Sequence, residues 1–84
     1  MKDLRGINAI VTGGASGMGA VTARALAASG CKVAIWDMNL EAAQKLATEI
    51  GGVAAQSDVT NADSVQKALD VSGPARILVN CAGI

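Results

Sequence analysis

Four glycines and a serine are concentrated in the stretch VTGGASGMGA, residues 11–20, between an apolar run and a helix-like run. Glycine loses more conformational freedom on folding than any other residue, so this loop indicates a place where a missing Cβ is required. We expect Gly13 to allow a sharp exit from a strand, Gly17 to let the backbone approach a ligand, and Gly19 to let a helix pack closely. Free N–H groups and the positive end of that helix would bind a phosphate without a basic side chain.

The spacing argues against three other glycine motifs. A Walker phosphate loop would place Lys-Ser/Thr after its last glycine, whereas Ala20 and Val21 follow Gly19. The Gly-x-Ser-x-Gly esterase elbow is absent, and so is the Gly-x-Gly-x-x-Gly dinucleotide motif. For the loop taken alone, a tight turn without a ligand stays open as the alternative.

An acidic residue, Asp37, ends the second predicted strand 18 residues after Gly19, the last glycine of the loop. A carboxylate there can accept hydrogen bonds from both hydroxyls of an adenosine ribose. The same charge would repel a 2′-phosphate, and neither Met38 nor Asn39 supplies a compensating positive charge. The pattern therefore predicts NAD in preference to NADP. Taken by itself, Asp37 is more simply explained as a turn or cap residue.

Apolar, β-branched runs alternate with helical patterns along the chain. The runs predict four strands, at residues 7–12, 32–37, 53–56 and 76–80. The first two helical patterns cover residues 17–29 and 40–50. Gly30 is expected to end the first helix; Asn39 is expected to cap the start of the second, and Gly51-Gly52 to end it. A third, shorter helix is predicted to open at a capping box, Thr60-Asn61-Ala62-Asp63, and to end at Ser72-Gly73-Pro74.

This alternation predicts an α/β protein with a Rossmann-type, doubly wound parallel sheet. The helical connections allow right-handed crossovers, and the expected strand order is 3-2-1-4. Two helices would then cover one face of the sheet and only one the other, so the sheet is expected to be incomplete. Either more protein follows Ile84 or a partner supplies the cover, and the first is favoured. We therefore expect residues 1–84 to be the N-terminal half of a single NAD-binding domain, with no second domain.

Three motifs at the ends of successive predicted strands resemble those of the short-chain dehydrogenases/reductases. The family's T-G-x-x-x-G-x-G is present from Thr12 to Gly19, its Asp-Val as Asp58-Val59, and its N-N-A-G as Asn80-Cys81-Ala82-Gly83. Cys81 stands where the family usually has asparagine. The N-C-A-G-I variant, with G-G-A-S-G-M-G, is similar to the branch of type-2 3-hydroxyacyl-CoA dehydrogenases and related hydroxysteroid dehydrogenases.

The resemblance implies a cofactor role for each matched residue. Ser16 and the Met18 backbone would contact the pyrophosphate, and Asp37 the ribose. Asp58 would accept a hydrogen bond from the adenine amino group, and the main chain of Val59 would contact the ring.

Asn80 would brace the strands around the loop, and the residues after it would pass close to the cofactor. The full predicted cofactor-binding set is Gly13, Ser16, Gly17, Met18, Gly19, Asp37, Met38, Asp58, Val59, Asn80, Cys81, Ala82 and Gly83.

The resemblance also implies hydride transfer between NAD(H) and a secondary alcohol or ketone, such as a 3-hydroxyacyl-CoA or a hydroxysteroid. Family members do the acid/base step with a tyrosine, a lysine four residues later, a serine and an asparagine. This chain has no tyrosine, so we expect its catalytic residues beyond Ile84 and a homotetramer or homodimer when complete. A non-catalytic NAD-binding regulatory or structural module is the alternative.

Composition argues against several other classes. Seven basic residues balance seven acidic ones, so there is no net positive charge for nucleic acid. Without histidine or Cys-x-x-Cys, the chain lacks a zinc ligand set and a His-dependent hydrolase centre, and Cys31 and Cys81 are expected to be free thiols. No run approaches the roughly 18 apolar residues of a membrane helix, and the start does not resemble a signal peptide. We expect a cytoplasmic protein, with Trp36 packed in its core.

Overall fold

The computed structural model describes residues 5–13, 15, 17–58 and 60–81. Strands and helices alternate along them, as β1 Asn8–Thr12, α1 Gly17–Ala28, β2 Lys32–Asp37, α2 Leu40–Ile50, β3 Val53–Gln56, α3 Ala62–Ser72 and β4 Ile77–Asn80. Every predicted element is present, and where an end differs from the prediction it does so by a single residue.

The strands form one parallel sheet in the order β3-β2-β1-β4, which confirms the predicted Rossmann-type topology. The register places Thr12 opposite Trp36 on one side and opposite Asn80 on the other. On the next strand pair, Asp37 lies opposite Gln56. The residues that follow these strands are therefore gathered at one edge of the sheet, here called the carboxyl edge.

The two central strands are buried from both sides because helices cover both faces of the sheet. Val11 and Ile35 are fully buried and face a cluster shared with α1 and α2. Alternate residues point to the opposite face, where Ile10, Ala34 and Trp36 pack against α3. Two helices thus lie on one face and a single helix on the other, as expected.

Trp36 is a core residue, as the sequence predicts. Its side chain is 4% exposed and packs with Ala55 and Ala68. The indole N–H donates a hydrogen bond to the hydroxyl of Ser72 at 3.2 Å, which satisfies its one polar atom. Trp36 therefore ties β2 to α3.

The start of α3 corrects the predicted capping box. The N-cap is Asn61, whose side-chain oxygen accepts a hydrogen bond from the Ser64 N–H at 3.2 Å. Thr60 instead donates its hydroxyl to Asp58. Asparagine is at least as good an N-cap as threonine, so the helix begins one residue later and Thr60 serves another contact.

Within the described residues, no helix is both long and apolar enough to cross a bilayer. The same part of the chain holds no cluster of three or more metal-ligating side chains. Cys31 is buried, Cys81 is half-buried, and both are free thiols.

Candidate functional site

Hydrogen bonds lock three strands together where the glycine loop begins. The hydroxyl of Thr12 donates to the side-chain oxygen of Asn80 at 2.8 Å, and the Cys81 N–H donates to the Thr12 carbonyl at 3.0 Å. On the other side, the Gly13 N–H donates to the Trp36 carbonyl at 2.7 Å. The end of β1 is thereby fixed to both neighbouring strands, so the loop leaves the sheet from a rigid base.

The first turn of α1 presents bare backbone. Gly17 has φ +53°, and a Cβ built on it would meet no atom within 4 Å. The first turn carries no acidic side chain, and Met18 is 69% exposed. Gly19 is buried, which lets the helix lie close to the sheet. Among the described residues, no side chain accepts a hydrogen bond from these amides, and the first N–H groups of a helix are the place where an anion can bind.

Asp37 connects the end of β2 to the glycine loop. One of its carboxylate oxygens accepts a hydrogen bond from the Ala15 N–H at 3.2 Å, and the other from the Asn39 N–H at 2.9 Å. Its carbonyl oxygen accepts from the Ser57 N–H at 3.1 Å. Each carboxylate oxygen has lone pairs for more than one donor, so Asp37 can still accept hydrogen bonds from hydroxyl groups.

Asp58, just after β3, is held by the start of α3. Its Oδ1 accepts hydrogen bonds from the Thr60 hydroxyl at 2.6 Å and from the Thr60 N–H at 3.0 Å. Its own N–H donates to the Ser64 hydroxyl at 2.9 Å. The hydroxyl bond first, and the N–H bond second, lower the pKa of Asp58 below its ordinary value, because both stabilise the ionised form.

An open groove of about 470 Å³ runs between the ends of β2 and β3 and the first turns of α3. Met38, Gln56, Asp58 and Ser64 line it. The amide of Gln56 donates to the Met38 carbonyl at 3.1 Å, which fixes the backbone after β2. Met38 and Asp58, two residues of the predicted cofactor set, therefore share one groove.

Nine of the predicted site residues lie at the carboxyl edge: Gly13, Gly17, Met18, Gly19, Asp37, Met38, Asp58, Asn80 and Cys81. The predictions for Ser16, Val59, Ala82 and Gly83 fall outside the described residues.

Sequence reasoning missed three groups that shape this edge: the Ala15 amide, the Gln56 side chain and Thr60. Only Thr60 carried a readable signal, since a threonine two residues after an aspartate is typical of a side-chain-to-backbone turn.

The geometry agrees with comparisons to known proteins. A family model described as short chain dehydrogenase matches residues 8–84. D-threitol dehydrogenase from Mycolicibacterium smegmatis is 43% identical over 96% of this chain and 35% of its own length. Human (Homo sapiens) 3-hydroxyacyl-CoA dehydrogenase type-2 is 36% identical over 99% of this chain and 34% of its own.

Among solved structures, a 3-ketoacyl-(acyl-carrier-protein) reductase from Brucella melitensis complexed with NADH superposes with a TM-score of 0.77 at 33% identity. That match covers 89% of this chain and 33% of the reductase. The chain thus spans about a third of the length of the relatives it matches. With a family model over almost all of its residues and relatives that share its sheet, the chain belongs to the short-chain dehydrogenase family.

Proposed function

We propose that this chain is the N-terminal, cofactor-binding half of a single Rossmann domain in an NAD-dependent short-chain dehydrogenase/reductase. The observation that carries this proposal is the hydrogen bond from the Ala15 N–H to the Asp37 carboxylate. It places an acid at the end of β2 directly beside a glycine loop that opens a helix. A dinucleotide needs these two neighbouring groups, one for its diphosphate and one for its sugar.

The diphosphate lies at the first turn of α1 in this proposal. The turn carries no acidic side chain, no described side chain accepts from its amides, and a Cβ built on Gly17 would meet no atom within 4 Å. Since no basic residue occurs between Gly13 and Gly19, the attraction comes from the amides and the helix dipole. Ser16 belongs to the same proposed contact set by its place in the family motif.

The ribose lies at Asp37, whose carboxylate accepts its hydroxyls. A 2′-phosphate would meet this negative charge, with neither Met38 nor Asn39 able to offset it. Repulsion of the phosphate supports NAD over NADP. The related reductase complexed with NADH supports a nicotinamide cofactor in general.

The adenine lies in the groove between Met38 and Asp58. Asp58 accepts from the exocyclic amine, and Val59 contacts the ring through its main chain. At the opposite end of the site, Cys81, Ala82 and Gly83 run from β4 along the cofactor.

The nicotinamide supplies the hydride when the cofactor is bound, and this chain holds and orients the adenosine diphosphate portion. No tyrosine is present among the 84 residues, and in this proposal other residues of the enzyme supply the proton-transferring groups. The substrate class is a secondary alcohol or ketone. Two of the dehydrogenases similar to this chain are named for a polyol and a hydroxyacyl thioester, and these names support that class.

The experiment is a comparison of NADH and NADPH binding by the full-length protein and its Asp37→Ala variant. The wild type binds NADH more tightly. The variant loses about tenfold in NADH affinity, roughly 1.4 kcal/mol, and its preference over NADPH shrinks. Asp70→Ala removes an exposed carboxylate of α3 and is the charge-matched control, with unchanged affinities. Wild-type protein that binds no NADH, or an Asp37→Ala variant with full affinity and preference, would refute the proposal.

A further inference from the structure

We propose that Thr60 is a positioning residue for recognition of the nucleotide base. By holding one carboxylate oxygen of Asp58, it leaves the other oxygen available to accept a hydrogen bond from the 6-amino group of adenine. This inference rests on the proposed function, which puts the adenine at Asp58.

Both donors of Thr60 converge on the same oxygen. The hydroxyl lies 2.6 Å and the N–H 3.0 Å from Oδ1 of Asp58. The main chain of Asp58 is fixed as well, because its N–H donates to the Ser64 hydroxyl and its carbonyl accepts from the Asn61 N–H at 2.9 Å. With its backbone and one oxygen held, the carboxylate cannot rotate freely about its side-chain torsions.

The second oxygen, Oδ2, receives no hydrogen bond from any residue that the structure describes. Asp63 and Lys67 line the same groove, yet within the described part of the chain neither bonds to Asp58. An ionised carboxylate oxygen can only accept hydrogen bonds, so it favours an amino group and disfavours a carbonyl at the same position. The lowered pKa of Asp58 keeps it ionised at neutral pH.

This arrangement predicts selectivity between two bases of the same shape. Adenine carries an amino group at position 6, whereas hypoxanthine carries a carbonyl oxygen there. An oriented Asp58 binds the first and repels the second. Without the Thr60 hydroxyl, the carboxylate samples other orientations and its discrimination weakens.

The test uses the full-length protein, with NADH and reduced nicotinamide hypoxanthine dinucleotide as probes. Thr60→Val removes the hydroxyl at nearly constant volume, Thr60→Ala removes it with the methyl group, and Thr60→Ser keeps it. We expect both removals to lower NADH affinity about three- to tenfold while the affinity for the hypoxanthine dinucleotide changes less than about twofold. Thr60→Ser should retain the wild-type preference.

Thr48→Val, an exposed threonine of α2 away from the groove, is the matched control and should change neither affinity. If the removals weaken both dinucleotides equally, or neither, or if Thr60→Ser behaves like Thr60→Val, the positioning role is wrong while the proposed cofactor site stands. If the wild-type protein binds both dinucleotides equally well, Asp58 does not recognise the adenine and the inference is wrong. Wild-type protein that binds neither overturns the proposed function itself.

Discussion

Glycines at the two edges of the sheet serve opposite needs. At the opposite edge, where the strands begin and which is here called the amino edge, a Cβ added to Gly52 would collide with the backbone carbonyl of Val33. A Cβ added to Gly30 would lie 2.6 Å from Cγ of Arg5. At the carboxyl edge, a Cβ on Gly17 would meet nothing within 4 Å. Close packing explains Gly52 and Gly30. It does not explain Gly17, which has open space around a built Cβ and a left-handed backbone with φ +53°.

Open space and positive φ do not by themselves mark a binding residue. Gly51 has φ +72° and no atom within 4 Å of a built Cβ, as at Gly17. However, Gly51 caps the C-terminus of α2, and its N–H donates to the Ala47 carbonyl. At this end of a helix the backbone groups that need partners are carbonyls rather than amides. Gly17 differs in lying at a helix N-terminus, two residues after Ala15, whose N–H donates to Asp37. Gly17 and Gly51 therefore offer a matched test.

The largest expected loss of stability is that of Gly52→Ala. The added methyl group has no room against the Val33 carbonyl, so backbone must shift at a cost of roughly 1–3 kcal/mol. Gly51→Ala, with open space, should lose only about 1 kcal/mol through its left-handed backbone. Chemical denaturation measures both. Equal stability of the Gly52 variant and the wild type would contradict the close turn between α2 and β3.

The second prediction separates strain from binding. Gly17→Leu and Gly51→Leu each place a side chain on left-handed backbone and should each lose about 1–2 kcal/mol of stability. Only Gly17→Leu should lose NADH affinity, by more than about tenfold, because its side chain enters the space in front of the α1 amides. Titration calorimetry below both melting temperatures provides the measurement. Equal affinities in the two variants would show that the carboxyl-edge glycine has no special role.

The third prediction is a substitution in α1 that raises stability and lowers NADH affinity. Met18→Glu places a negative charge in the first turn of α1, which should stabilise the helix by about 0.3–1 kcal/mol. The same charge repels the diphosphate, so NADH affinity should fall about two- to fivefold, and less at high salt. Met18→Gln is the neutral control and should change neither quantity appreciably. A Met18→Glu variant with wild-type affinity would place the diphosphate elsewhere.

Local sequence signals were sufficient for the scaffold. In α2, the Asn39 cap, the apolar stripe and Gly51 all indicate the same bounds, and the helix runs from Leu40 to Ile50 as expected. The alternation of four strands and three helices indicated parallel strands with right-handed crossovers, and the expected order 3-2-1-4 is the one observed. Such agreement between local pattern and topology makes this part of the fold predictable.

The contacts of the candidate site were less accessible from sequence. The bond between the Ala15 amide and Asp37 joins residues far apart in the chain and depends on the path of the glycine loop, which no residue pattern specifies. At Thr60 and Asn61, two adjacent residues could both cap a helix, and sequence alone favoured the wrong one. Thr60 is not the N-cap but a hydrogen-bond partner of Asp58, so the wrong prediction concerns a residue that shapes the groove.

The smallest expected effect is that of removing a surface ion pair between two helices. Nε of Arg24 in α1 donates to Glu49 of α2 at 2.6 Å. The hydrogen bond from Arg24 lowers the pKa of Glu49, with the positive charge adding to it. A carboxyl pKa lower in the folded state than its unfolded value of about 4.3 contributes stability above that value, and loses it as pH falls through the folded pKa.

Glu49→Gln should therefore lower the melting temperature slightly at pH 7 and not at all once the pH lies below the folded pKa of Glu49. Both side chains are about half exposed, at 51% and 53%, so water and salt screen most of the interaction. NADH affinity should stay unchanged, because the pair lies on the outer surfaces of α1 and α2 rather than at the carboxyl edge. Thermal unfolding measured across the acidic pH range tests the predicted stability, and NADH titration tests the predicted affinity. A loss of affinity without a pH-dependent loss of stability would mean that scaffold and site are coupled, and that the contrast between the two edges is incomplete.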